Sequence, residues 1–171
     1  IPFPLLKSIC FVESGLNPKS FSQNDGGPND HAFGLCQVLR STGEFVLRKE
    51  LKECYKNFHR QPKKTRVKAQ CSLFDPSTNS SVSAKYLRDL LVRYEGNIDQ
   101  TNAAYNGGKA RYRKSNKRKS SSNLTKLSSK VFVNQYYVDK VRRVLGQDYP
   151  SQIFGFSNTN NPTLSWNNDG S

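Results

Sequence analysis

The residues around Glu13 in the sequence predict that its carboxyl group acts as a proton donor. In the segment from Pro4 to Ser14, Leu6, Ile9 and Glu13 fall at helical offsets, so the carboxylate shares a helix face with apolar side chains. Gly15 can take the left-handed conformation that ends a helix, which puts Glu13 in the last turn. Apolar surroundings and the negative end of the helix dipole both disfavour the ionised form. We therefore expect a raised pKa and a general acid that works near neutral pH.

Cleavage of a glycosidic bond needs such a donor, because the oxygen of the leaving sugar must be protonated as the bond breaks. The helix pattern alone leaves an alternative open, since a glutamate in a terminal turn more commonly directs its carboxylate to solvent. Three motifs bear on this choice, and they follow one another along the chain: Glu13-Ser14-Gly15-Leu16-Asn17-Pro18, Gly34-Leu35-Cys36-Gln37-Val38 and Ala104-Tyr105-Asn106-Gly107-Gly108.

These motifs, in this order and with Ser22 between the first two, resemble the soluble lytic transglycosylases. Members of that family share the lysozyme-like fold and are related to the goose-type lysozymes. The resemblance extends from about Leu5 to Leu145. It implies a mainly α domain, an α+β lysozyme-like fold with at most a small sheet, that cleaves peptidoglycan.

The resemblance also implies roles for individual residues. Glu13 matches the family's catalytic acid, Ser22 a hydroxyl that contacts the glycan or its peptide, and Gln37 an amide that lines the cleft. Tyr105 and Asn106 match the pair that closes the site opposite the acid. The resemblance therefore implies that substrate is bound by Ser22, Gln37, Tyr105 and Asn106.

Tyr137 is a further substrate-binding candidate, because Tyr137-Val138 resembles the end of the family's Glu-Thr-Arg-x-Tyr-Val motif. Here the match is partial. Val133, Asn134 and Gln135 stand in place of the family's Glu, Thr and Arg, so any polar contact of that Glu is absent. Cys36 stands where the family usually has Met, which keeps an apolar sulfur, shortens the side chain and permits a disulfide.

The reaction implied by the resemblance is cleavage of the β-1,4 bond between N-acetylmuramic acid and N-acetylglucosamine. The substrate's N-acetyl group and six-position hydroxyl complete the displacement and leave a 1,6-anhydromuramyl end, so a single carboxylate suffices where most glycosidases use two. A hydrolytic lysozyme on the same fold is the alternative, in which the resemblance to goose-type lysozymes implies that Asp25 or Asp30 positions the attacking water. For either residue the sequence itself favours an ordinary turn role. A non-enzymatic basic binding module is the second alternative, and it would not need Glu13 on the apolar face.

The composition predicts an anionic partner. The 171 residues carry a formal net charge of +14, and nucleic acid, envelope polymers and the carboxylates of peptidoglycan stem peptides all qualify. The basic segment, Lys109–Lys130, contains nine Lys and Arg residues and no acidic residue. We expect a solvated loop or, in the functional alternative, capture of anionic cell-envelope polymers. Its one aromatic residue, Tyr112, argues against a single-strand nucleic-acid platform.

The four cysteines allow three complete pairings. We favour Cys54–Cys71, with Cys10–Cys36 as a second possibility near the active site, and four reduced buried thiols as the alternative. No CxxC spacing occurs and both His31 and His59 are isolated, so we expect no metal site and no cofactor. The even count and the family resemblance predict a secreted, periplasmic or cell-envelope protein.

We expect a monomer with one compact domain over residues 1–150, followed by an Asn-, Ser- and Gly-rich tail over residues 151–171. No stretch is apolar enough to span a membrane, and no signal peptide is visible. A chain that begins at Ile1 and contains no Met is expected to be processed from a longer one.

Helices dominate the predicted secondary structure. A capping-box pattern at Ser41–Glu44 predicts a helix whose apolar positions continue to Phe58. Asp75-Pro76 predicts the start of a second helix, which Gly96 ends.

Two shorter helices are predicted around Gln100–Tyr105 and Val133–Leu145. The turn formers between Gln23 and His31 predict a long loop, with His31 in a turn or at the surface.

Overall fold

The computed structural model describes residues 1–54, 71–113, 131–146 and 148–156. Within them the fold is mainly α with a small sheet, as the sequence predicts. The α-helices are α1 (Phe3–Ser14), α2 (Arg40–Leu47), α3 (Pro76–Arg93), α4 (Ile98–Gly107) and α5 (Gln135–Leu145). The antiparallel sheet has the order β1 (Phe21–Gly27), β2 (Asp30–Phe33) and β3 (Val38–Leu39). Two 3-10 turns lie at Lys52–Cys54 and Ser72–Phe74.

Helix α1 ends where its sequence predicts. Gly15 has a φ of 64° and its N–H donates to the carbonyl of Phe11, which stops the helix directly after Ser14. Leu5 and Ile9, two turns and one turn before Glu13, are fully buried. The face of α1 that carries Glu13 therefore points into the protein.

The segment from Gln23 to His31 forms a β-hairpin, so the prediction of a long loop is wrong. β1 pairs with β2 through Phe21 opposite Phe33, and the register shifts between Ser22 and Gly27. Residues 23–26 are all exposed, so no alternation of apolar and polar side chains marks the strand in the sequence.

The prediction that His31 lies in a turn or at the surface is also wrong. His31 is fully buried in β2, edge-on to the rings of Phe21 and Phe33. Its Nδ1 accepts the Asn24 N–H at 3.0 Å. The aromatic contacts come from both strands of the hairpin, and this pairing is what buries the imidazole.

Helix α2 begins without the predicted capping box. Leu39 occupies the N-cap position and makes no side-chain cap. Ser41 lies in the first turn, where its N–H and hydroxyl both donate to the carboxylate of Asp30. Glu44 instead pairs with Arg40 at 2.7 Å. The first turn of α2 is capped by Asp30 of β2, which lies 11 positions before Ser41 in the sequence. The local pattern at Ser41–Glu44 therefore predicted the wrong cap.

The same helix is shorter than predicted. It ends at Leu47, because Arg48 takes a left-handed conformation. Leu51 is buried beyond the helix, in the chain that leads to the 3-10 turn ending at Cys54. The predicted continuation to Phe58 lies outside the described residues.

Helices α3, α4 and α5 follow the predictions to within a few residues. Asp75 caps α3 by accepting the Thr78 N–H at 2.7 Å, and a proline occupies the first turn. Asn97 caps α4 in the same way through the Gln100 N–H. Gly96, between these helices, has a φ of 80° and lies against the backbone of Ile153, so a side chain would have no room there.

Two apolar clusters position these elements. One, between the sheet, α2 and α3, includes Phe33, Leu73 and Val82. The other packs α1, α3 and α5 together and includes Leu5, Leu87 and Val141. Glu13 extends from the C-terminal end of α1 beside the second cluster.

Both disulfides that the sequence suggested are formed, Cys54–Cys71 and Cys10–Cys36. The alternative of four reduced thiols is therefore wrong. Cys54–Cys71 belongs to the apolar cluster beneath the sheet. Cys10–Cys36 joins α1 to the turn that precedes β3. Cys10 lies three residues before Glu13 in the sequence.

Residues 151–156 continue along the domain. The Ile98 N–H donates to the Ser151 carbonyl, and the Ile153 N–H donates to the Gly96 carbonyl. The division at residue 150 and the tail that follows stay predictions. Among the described residues, no helix combines the length and apolar character needed to cross a membrane.

Candidate active site

Among the described residues, one side chain forms a hydrogen bond with the carboxyl of Glu13. The Tyr137 hydroxyl donates to Glu13 Oε1 at 2.7 Å, across 124 positions of sequence. Glu13 ends α1 and Tyr137 lies in the first turn of α5, so the contact between these helices brings the two groups together. Tyr137 is itself buried. The phenol therefore fixes one oxygen of the Glu13 carboxyl.

Burial raises the pKa of Glu13 from 4.5 to about 7. The Tyr137 hydrogen bond lowers this pKa and the negative charge of Asp25 raises it, both by less than burial does. The expectation of a raised pKa is thus confirmed, although its main cause is removal from water. Burial and the Glu13 charge also raise the pKa of Tyr137 well above its usual value, so this phenol remains a hydrogen-bond donor.

A groove of about 320 Å³ opens beside the carboxyl. We call it the acid groove, and its lining includes Glu13, Asn106, Asn134, Tyr136, Tyr137 and Lys140. Asn134 Nδ2 donates to both the Ala103 carbonyl and Asn106 Oδ1, each at 2.9 Å. These bonds tie the chain before α5 to the end of α4 and fix the orientation of the Asn106 amide.

Two links hold the end of α1 against the segment Leu35-Cys36, and a third joins α4 to the same segment. The Cys10–Cys36 disulfide is the first. The Ser14 hydroxyl donates to the Leu35 carbonyl at 2.5 Å, and the Tyr105 hydroxyl from α4 donates to the Cys36 carbonyl at 3.1 Å. The position of Glu13 is therefore set by bonds on both sides of it in the sequence.

The amide of Gln37 lies in a smaller recess of about 70 Å³, which also includes Tyr86, Tyr105 and Asn106. Its Oε1 accepts the Ser22 hydroxyl at 2.7 Å, and its Nε2 donates to the Gly34 carbonyl. Gln37 is 8% exposed and has a left-handed φ of 48°. Asn106 lines both this recess and the acid groove, so the two open on either side of one amide.

The two aspartates considered for water positioning are placed differently. Asp25 is exposed on β1, and its charge reaches Glu13. Asp30 accepts the N–H and the hydroxyl of Ser41, at 2.9 and 2.6 Å. Both oxygens of Asp30 are thus engaged in capping α2.

The basic segment is described only at its start, where Lys109, Arg111 and Arg113 are exposed. Arg111 and Arg113 flank an isolated bridge between Tyr112 and Phe132. Across this bridge the Arg113 N–H donates to the Val131 carbonyl. The remainder lies outside the described residues.

No cluster of three His, Cys, Asp or Glu side chains with the arrangement of metal ligands occurs in the described parts of the chain. Every one of the four cysteines is in a disulfide.

A family model described as "Transglycosylase SLT domain" matches residues 1–127 of the chain. The protein belongs to the SLT transglycosylase family. Membership indicates an enzyme of the peptidoglycan lytic transglycosylase group that cleaves glycosidic bonds. The matched range contains Glu13, Gln37 and Asn106, whereas Tyr137 follows it. No solved structure matches the chain.

The sequence did not reveal four residues that line the acid groove, which are Val12, Asn134, Tyr136 and Lys140. Asn134 was noted only as a departure from the family motif. Tyr136 and Lys140 are four residues apart, the spacing that puts two side chains on one helix face. That spacing was a usable signal, but nothing in the sequence indicated that this face meets α1.

Proposed function

We propose that this SLT-family protein cleaves the β-1,4 bond between N-acetylmuramic acid and N-acetylglucosamine and leaves 1,6-anhydromuramyl ends. The observation that carries the proposal is the Glu13 carboxyl, which lines the acid groove and accepts the Tyr137 hydroxyl at 2.7 Å. Burial raises its pKa to about 7. A carboxyl with this pKa is partly protonated at neutral pH, so it can give a proton and take one back within a single turnover. Such a group can serve both halves of the reaction.

The reaction balances with Glu13 as the only protein acid and base. Glu13 gives its proton to the glycosidic oxygen while the bond from that oxygen to C1 of the muramic acid breaks. The N-acetyl oxygen of the same sugar stabilises the electron-poor C1. The Glu13 carboxylate then accepts the proton of the six-position hydroxyl, whose oxygen bonds to C1. No water is consumed, and Tyr137 supports the carboxylate between the two steps through its 2.7 Å hydrogen bond.

Substrate-binding roles for Ser22, Gln37, Tyr105, Asn106 and Tyr137 remain part of this proposal. Asn106 is the best supported, because it is exposed and lines both the acid groove and the smaller recess. Ser22 supports the Gln37 amide through a direct hydrogen bond. Tyr105 and Tyr137 would contact the substrate with their rings, since the hydroxyls of both residues donate to acceptors within the protein.

Mass spectrometry of digested peptidoglycan tests the proposal, because anhydro and reducing ends differ by the mass of one water. We expect anhydro ends from the wild-type protein. Glu13→Gln keeps the shape and the hydrogen bond to Tyr137 but cannot transfer a proton, so its turnover should fall at least about a hundredfold. Clearing of purified walls by Glu13→Gln at the wild-type rate would refute the assignment of Glu13.

A hydrolytic lysozyme is the second candidate, and the charge of Asp25 acting on Glu13 supports it. If water attacks C1, reducing ends should dominate the digest, and Asp25→Asn should suppress them. Asp30→Asn is the matched comparison, because its carboxylate caps α2. Its substitution should lower stability and leave the ratio of the two products unchanged.

We further propose that the protein acts as a monomer outside the cytoplasm, in the periplasm, the cell envelope or the medium. Its two disulfides fit an oxidising compartment, and its substrate is a wall polymer. Exposed Lys109, Arg111 and Arg113 begin a basic segment suited to capture anionic envelope polymers.

A further inference from the structure

An exposed aromatic ring and an ammonium group lie together at the rim of the acid groove. Tyr136 and Lys140 occupy one face of α5, and both line the groove that contains Glu13. The Lys140 ammonium lies 4.5 Å from the centroid of the Tyr136 ring. This cation–π contact holds both side chains at the rim.

The two side chains have free binding capacity. Tyr136 is 71% exposed, so a large part of its apolar ring faces solvent. Lys140 covers the ring from one side, which leaves the rest of the ring open. Among the described residues, no carboxylate lies within ion-pair distance of the Lys140 ammonium. An exposed ring is suited to pack against the apolar face of a sugar, and an ammonium without an ion pair is suited to a carboxylate.

We propose that Tyr136 and Lys140 form a subsite at the rim of the acid groove that binds a sugar ring of the strand together with its carboxylate substituent. The inference rests on the proposed function, because it takes the peptidoglycan strand as the ligand of the groove. Two carboxylates of such a strand fit: that of the lactyl group on muramic acid when it bears no peptide, and those of the stem peptide.

Binding is measured in a Glu13→Gln background, so that affinity is separated from cleavage. The three probes are glycan strands with stem peptides, strands whose stem peptides have been removed to free the lactyl carboxylate, and a neutral chitooligosaccharide. Lys140→Gln should raise Kd for carboxylate-bearing strands by about twofold to fivefold at low salt and leave the neutral probe unchanged. Tyr136→Ala should weaken binding of all three probes.

Two control variants accompany these measurements. Lys140→Arg keeps the charge and should bind like the parent. Lys85→Gln removes an exposed charge on α3 that lines neither the acid groove nor the smaller recess around Gln37, and it should change none of the affinities. A circular dichroism spectrum and a melting curve matched to the parent confirm that each variant is folded.

The outcomes separate the subsite from the proposed function. A Lys140→Gln penalty that persists on peptide-free strands identifies the lactyl carboxylate as the ligand. A penalty confined to peptide-bearing strands identifies the stem peptide. An equal effect on the neutral probe, or no effect on any probe, overturns the subsite even if Glu13→Gln has abolished cleavage. Full activity of Glu13→Gln would instead overturn the proposed function.

Discussion

Replacing Glu13 by glutamine should make the protein more stable above pH 7. The carboxyl ionises near pH 4.5 in the unfolded chain and near pH 7 in the folded protein, because burial disfavours its charge. Between these values the unfolded chain releases a proton that the folded protein keeps, so wild-type stability falls as pH rises through this window. With 1.36 kcal/mol per pKa unit, the difference of 7 − 4.5 corresponds to a loss on the order of 3 kcal/mol.

Glu13→Gln cannot ionise and should escape this loss. Its amide oxygen can still accept the Tyr137 hydroxyl, so the packing of α1 against α5 is retained. Thermal and urea denaturation from pH 4.5 to pH 8.5 measure the effect. The variant and the wild type should be nearly equal at pH 4.5, and by pH 8 the variant should melt roughly 10 °C higher.

Glu95→Gln is a matched control, since it removes an exposed carboxylate just after α3. It should change stability little, and by a similar amount at each pH. A Glu13→Gln variant that is less stable than the wild type at pH 8, or whose advantage does not grow with pH, would refute the argument that burial of the carboxyl sets its pKa. Wild-type cleavage should fall over the same range, as the acid form is lost on passing pH 7.

Three further changes should have separable effects. Tyr137→Phe removes the hydrogen bond that lowers the Glu13 pKa, so the alkaline limb of the pH–rate profile should move up by about one pH unit; a downward shift would contradict this. Two double-alanine variants remove the disulfides Cys10–Cys36 and Cys54–Cys71 separately. Each variant should have a free energy of unfolding lower by about 3 kcal/mol in urea denaturation. Only the first should also reduce turnover, and equal turnover in both variants would show that the Cys10–Cys36 link does not position Glu13. Replacing the three exposed basic residues at the start of the basic segment by glutamine should weaken wall binding and flatten its salt dependence, while cleavage of a short neutral glycan stays unchanged; equal loss on both substrates would mean that these residues shape the groove.

Short-range patterns predicted the parts of the fold that short-range contacts determine. Glu13 could be placed on a buried face because helical spacing and Gly15 are both local signals. The start of α3 was equally predictable, since Asp75 caps this helix by accepting the Thr78 N–H, three positions further along the chain. Both inferences rest on interactions within one turn of the chain.

The features that the sequence did not predict depend on distant partners. Asp30 caps α2 from 11 positions away, which made the Ser41–Glu44 pattern misleading. The hairpin buries His31 while β1 presents a run of exposed polar residues to solvent. Tyr137 reaches Glu13 across 124 positions, and only the family resemblance pointed to that tyrosine.

Two departures from the family's motifs help to hold the site together. Cys36, where the family usually has Met, is covalently linked to α1 and accepts the Tyr105 hydroxyl through its carbonyl. Asn134, where the family has Thr, bonds both to the backbone of α4 and to Asn106. Neither change touches the hydrogen bond between Glu13 and Tyr137. Asn134 lines the acid groove, whereas Cys36 is buried outside it and braces α1. Because the Glu13–Tyr137 hydrogen bond is intact, we expect the departures to change the preferred form of the substrate and not the class of reaction.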